Sequence, residues 1–122
     1  MQSIVTKGWG FELWIINNSL YCGKQLTVLP DKYCSVHYHM NKDETFYVID
    51  GELELQIGRW DHLTEKDWWS YNESLILRKG DSYHLPPRVP HRFTSNVAYP
   101  TTFIEFSTHH EDSDSYRIIK GD

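Results

Sequence analysis

A chain of 122 residues is long enough to bury one core and too short for two, so it reads as a single domain, 1–122. Aromatic residues make up 15% of it, which excludes a disordered chain, and a net charge of −5 excludes the basic face that nucleic-acid binding needs. No apolar run has the length of a membrane-spanning helix, Met1-Gln2-Ser3-Ile4 lacks the regions of a signal peptide, and Cys22 and Cys34 are the only cysteines, so a reduced, cytoplasmic protein with no membrane partner is expected.

In chain order, nearly every segment reads as a short strand between turns. Phe11 to Ile16 is a mixed apolar run ended by Asn17-Asn18-Ser19. Lys24 to Leu29 alternates, with Lys24, Leu26 and Val28 on one face, and Pro30-Asp31 turns the chain. Cys34 to His39 is the next strand, Met40-Asn41-Lys42-Asp43 a turn, and Glu44 to Ile49 the return. Asp50-Gly51 carries a hairpin signal, and Glu52 to Ile57 alternates with Leu53, Leu55 and Ile57 inward. Gly58 to Glu73, holding Trp60, Trp68 and Trp69, is long for a compact barrel, and such loops tend to be functional or flexible. Ser74 to Leu77, Ser82 to Leu85, His91 to Ser95 and Thr101 to Ser107 complete the series. The tail from His109 to Arg117 reads as a solvated polar segment, with His109-His110 as surface histidines. Many short strands at regular spacing indicate an all-β barrel or sandwich.

Two histidines one residue apart share a face of a strand, so His37 and His39 point together into one cavity. The turn after them lets Glu44 start the returning strand facing them, and His91 follows the proline-punctuated Pro86-Pro87-Arg88-Val89-Pro90. Three imidazoles and a carboxylate suit one divalent transition metal, Mn, Zn, Fe, Co or Ni. Neither cysteine sits in a Cys-x-x-Cys pair.

His37-x-His39, four residues, Glu44, six residues and Gly51 matches the first motif of the cupins, and Gly80, five residues, Pro86, His91 and Asn96 resemble the second. The family usually has glycine where Arg88 stands, and its asparagine lies one residue nearer the histidine than Asn96. The resemblance implies a double-stranded β-helix, a small jelly-roll barrel with a metal inside. Cupins commonly dimerise, which favours a packing or homodimer-interface role for the three tryptophans over substrate contact.

Four protein ligands leave a six-coordinate metal two open positions. That permits an isomerase, a dioxygenase, or a sugar-binding cupin without turnover. Trp9-Gly10, Lys24 and the acidic stretch from Glu111 to Arg117 resemble segments of the cupin domain of type II phosphomannose isomerases, and compact D-lyxose isomerases share the barrel and ligand set. This resemblance implies a metal-dependent aldose–ketose isomerase acting through an enediolate on a mannose- or lyxose-like sugar or its phosphate. Lys24 and Glu105 are the acid/base candidates, Glu105 with a raised pKa if it faces the cavity beside Phe103. Glu12, Tyr47 and Arg88 are candidates for substrate hydrogen bonds, and Arg88 and Arg92 flank the metal-bearing loop, where a phosphate would need cations.

Overall fold

The computed structural model describes residues 3–122. Its strands are β1 (Ser3–Lys7), β2 (Gly10–Asn17), β3 (Cys22–Val28), β4 (Val36–Tyr38), β5 (Glu44–Asp50), β6 (Glu52–Ile57), β7 (Glu73–Arg78), β8 (Ser82–Leu85), β9 (His91–Ser95), β10 (Thr101–Ser107) and β11 (Tyr116–Ile119). One helix, α1 (Glu65–Tyr71), lies between β6 and β7, and a 3-10 turn, Asp112–Asp114, precedes β11. Two antiparallel sheets, ordered β1-β2-β3-β10-β5-β8 and β11-β4-β9-β6-β7, form the jelly-roll barrel.

Period-two burial explains which residues meet between the sheets. Leu26 and Val28 on β3, Phe46 and Val48 on β5, Leu53 and Leu55 on β6, Phe93 on β9 and Phe103 on β10 all turn inward. Trp9 closes this cluster, its ring edge-on to Phe93 at 5.0 Å, and Phe46 and Phe103 pack at 4.9 Å. Offset and edge-on contacts of this kind add to the area that the rings bury. Cys22 and Cys34 are free and buried.

Several sequence expectations need correction. Asp50-Gly51 is not a hairpin: β5 pairs with β10 and β8 while β6 pairs with β7 and β9, so the chain crosses between sheets there. Gly51 has φ +87°, and a Cβ on it would come within 2.4 Å of the Thr101 hydroxyl, so glycine serves the crossing. The 58–73 segment is part helix, started by Thr64, whose hydroxyl accepts the Asp67 N–H at 3.1 Å. Trp68 on it is buried against Gly58, where a Cβ would come within 3.0 Å of its ring, whereas Trp60 and Trp69 are 61% and 62% exposed. The tail is largely exposed, as expected, but it is not free: Asp114 is buried and β11 adds to the edge of β4, with Tyr116 opposite Tyr38 and Arg117 opposite His37.

Candidate functional site

A cavity of about 300 Å³ opens at one end of the barrel. The inward pleat that supplies the apolar cluster ends there in charged residues: Lys24 before Leu26 on β3, Glu44 before Phe46 on β5, Glu105 after Phe103 on β10. Register brings them together, since Glu105 pairs with Lys24 across β10 and β3. His37 on β4 pairs with His91 on β9.

The three histidines carry ring nitrogens that lie within 4.8 Å of one another. Each Nδ1 sits 2.9 Å from a backbone carbonyl: Ser35 for His37, Asp114 for His39 and Val89 for His91. A carbonyl can only accept, so each Nδ1 carries the proton and each neutral ring presents its Nε2 lone pair to the cavity. Burial is the main force holding the rings neutral, reinforced by His91 at His37 and by His37 at His39, and it pushes those two pKa values down to about 3. Burial likewise takes His91 to about 4. Glu44 lies beside the group, its Oε2 3.4 Å from His39 Nε2 and 3.6 Å from His91 Nε2. His91 Nε2 is buried with no hydrogen-bond partner, a costly arrangement for a lone pair unless something binds it. Three convergent imidazole lone pairs, one of them orphaned, with a carboxylate beside them fit a divalent transition ion.

Glu105 faces the cavity, but its pKa moves opposite to expectation. Burial alone would raise it, yet the ammonium groups of Lys42 and Lys24 outweigh burial and hold the carboxyl down at about 2. Lys42 Nζ lies 2.6 Å from Glu105 Oε2, and although burial works to lower its pKa, Glu105 and Glu44 raise it. Burial and then the Glu105 charge push the Glu44 carboxyl up; a cation at the three rings would displace its proton. Lys24 is buried over the Trp14 ring at 3.9 Å and 3.8 Å from Glu12, which accepts the Trp14 indole N–H at 2.9 Å.

The structure therefore gathers His37, His39, Glu44, His91, Lys24, Glu105 and Glu12 around one cavity. Two expected substrate contacts lie elsewhere. Tyr47 falls on the opposite parity of β5 from Phe46 and is exposed on the outer face. Arg88 is exposed in the loop before His91, with φ +75°, the left-handed conformation that explains the glycine usual there; its backbone N–H caps the His39 carbonyl. Arg92 turns away from the cavity onto the Tyr33 ring at 4.6 Å. Sequence reasoning missed Lys42, because a turn has no parity to read. It also misplaced His110, which is not a surface histidine but lines the cavity, accepting from Lys42 Nζ at 3.0 Å through Nδ1. Only its spacing before a strand-borne carboxylate marks Lys42, and nothing local marks His110.

The family model of the cupin domain matches residues 25–107. The D-lyxose ketol-isomerase of Thermofilum sp. (strain ex4484_79) is 28% identical over 100 residues, covering 70% of this chain and 56% of the relative. The chain thus spans about half the length of that curated relative. Among solved structures, the capsular polysaccharide assembling protein CapF of Staphylococcus aureus superposes with a TM-score of 0.80 at 15% identity, over 98% of this chain and 32% of that one. KdgF from Halomonas sp. gives 0.71 at 13%, over 93% and 89%. Among the described residues, no helix is long and apolar enough to cross a membrane.

Proposed function

This chain belongs to the cupin family, and from that premise we propose that it is a metal-dependent aldose–ketose isomerase acting on a mannose- or lyxose-like sugar or its phosphate. The observation that carries the reading is a single cavity combining the three-histidine and Glu44 donor set with the buried Glu105–Lys42 pair. Similarity to a D-lyxose ketol-isomerase supports the same reaction class. In this assignment His37, His39, Glu44 and His91 hold one divalent ion, which when bound would supply a Lewis acid for neighbouring oxygens of the sugar.

Moving a carbonyl from C1 to C2 requires a proton to leave the carbon beside the carbonyl and arrive on the neighbouring carbon. Glu105 accepts and returns that proton; Lys42 holds its carboxyl at about 2 while the two are paired, so its basicity rises as Lys42 turns to the sugar oxygen. Lys42, kept charged by its carboxylate neighbours, donates to the sugar oxygen on which charge grows as the enediolate forms. Lys24 and Glu12 lie on the β2–β3 side of the cavity, where an ammonium and a carboxylate orient hydroxyl groups. A cavity of about 300 Å³ is at the small end of ligand pockets, which run from about 300 to 1,000 Å³, and suits one sugar ring or open chain.

The test is incubation of metal-loaded protein with free and phosphorylated aldoses and ketoses in D2O, read by NMR. Interconversion with deuterium entering C1 of the ketose and C2 of the aldose is the expected result. No exchange with any sugar contradicts the assignment, and iron-dependent oxygen uptake in its place would transfer the protein to the dioxygenases.

A further inference from the structure

We infer that Asp114, in the 3-10 turn before β11, is a positioning residue that sets the geometry of the metal donor set without touching the ion; this rests on the donor-set reading above. His39 leaves β4 in one sheet and Glu44 begins β5 in the other, so no ladder of hydrogen bonds fixes one relative to the other. Only residues 40–43 join them. The Asp114 carboxylate, buried at 7% exposure, is wrapped by three successive backbone N–H groups of this turn. Met40 donates to Oδ1 at 2.9 Å, Asn41 to Oδ1 and Oδ2 at 3.2 Å each, and Lys42 to Oδ2 at 3.0 Å. Consecutive N–H groups converging on one anion form a nest, so the turn takes its shape from the carboxylate.

The same residue reaches the donor set a second way. Its backbone carbonyl accepts His39 Nδ1–H at 2.9 Å, which fixes both the tautomer and the plane of that ring. Asp114 is itself anchored by the strand that follows, where Tyr116 pairs with Tyr38 one residue before His39. One residue therefore holds the ring of His39, the backbone that leads to Glu44, and the backbone of Lys42. Ring partners outside the metal shell are typically worth about 10- to 100-fold in metal affinity.

The experiment measures Co2+ affinity by chelator competition and records the visible Co2+ spectrum for wild type, Asp114→Ala and Asp114→Asn. Thr101→Val, at the far end of β10, serves as a control of comparable lost stability: its hydroxyl is buried and bonded to the Glu52 carbonyl at 2.8 Å. Asp114→Ala is expected to weaken Co2+ binding by about 10- to 100-fold and to shift the spectrum, since the ligands lose their fixed angles. Asp114→Asn, which keeps one acceptor oxygen for the nest, falls between, and Thr101→Val keeps wild-type affinity and spectrum. The inference is overturned if both Asp114 variants bind like wild type with an unchanged spectrum, or if Thr101→Val loses as much. Wild-type protein that binds no Co2+ would overturn the donor-set reading itself, and this inference with it.

Discussion

The two ends of the barrel interior share strands and parity but not chemistry. On β3, β5, β9 and β10 the same inward pleat runs from Leu26, Val48, Phe93 and Phe103 to Lys24, Glu44, His91 and Glu105. The apolar end is held by packing, so its stability is spread over many contacts. The polar end is held by a few charge-assisted contacts around Lys42, which makes each of them costly to remove singly. A fold can thus reserve one end of a barrel for chemistry by changing one inward residue per strand.

Breaking a single charge in the polar end is expected to have the largest effect. Lys42→Met leaves the buried Glu105 without its nearest partner and should cost about 3–5 kcal/mol, read by denaturant unfolding. Adding Glu105→Leu, which turns that end toward the chemistry of the other, should recover most of the stability while isomerisation falls by at least about 100-fold. If the double variant is no more stable than Lys42→Met, the contrast between the ends is wrong.

The apolar end answers the same question in reverse. Phe103→Ala should cost about 3–5 kcal/mol through the cavity it leaves, with metal affinity of the folded protein unchanged. Equilibrium dialysis of that variant at a temperature where it remains folded checks the second half.

Acid separates the ends more gently. The folded pKa values of about 3 for His37 and His39 and about 4 for His91 lie below the ~6.5 of a free histidine, so the unfolded chain takes up protons first as pH falls. The metal-free protein should hold its full stability from these groups above about pH 6.5 and lose it progressively toward pH 4 and 3. His91→Phe should flatten part of that slope in a series of melts. An identical slope in the variant would deny the ring its depressed pKa.

The smallest effect is expected at the loop. Arg88→Gly removes the left-handed strain of an L-residue, about 1–2 kcal/mol, against an entropic cost of about 0.5–1 kcal/mol, leaving a gain between about 0 and about 1.5 kcal/mol. A melting temperature that falls would show that the Arg88 side chain contributes packing.

This contrast also explains what the sequence can reveal. Strand parity places His37, His39 and Lys24 inward because alternation is a local property, and the spacing through a short turn adds Glu44. It leaves Glu105 open, because Ile104 and Phe106 make the other face of that strand apolar too, and the structure turns Glu105 inward beside Phe103. The same parity puts Tyr47 outside, between the inward Phe46 and Val48, so expecting it at the substrate runs against the alternation of its own strand. Asp50-Gly51 shows the limit from another side: the dipeptide marks where the chain bends, whereas the partners of β5 and β6 decide that it crosses between sheets. Lys42 stays hidden because it sits in a turn, which has no parity, and His110 and Asp114 because their roles arise from the tail folding back onto that turn, which no local pattern encodes. The helix at Glu65–Tyr71 has a readable start in Thr64-Glu65-Lys66-Asp67, but two adjacent tryptophans, Trp68 and Trp69, in a helix of seven residues obscure its period.

Equilibrium dialysis with metal analysis on wild type and His91→Ala, alongside circular dichroism, shows whether the convergent histidines hold an ion. One divalent ion per wild-type chain, lost in a variant that keeps its β-sheet spectrum, is the predicted result. Wild-type protein that takes up no first-row dication, or a His91→Ala protein that binds one as tightly, would contradict the account.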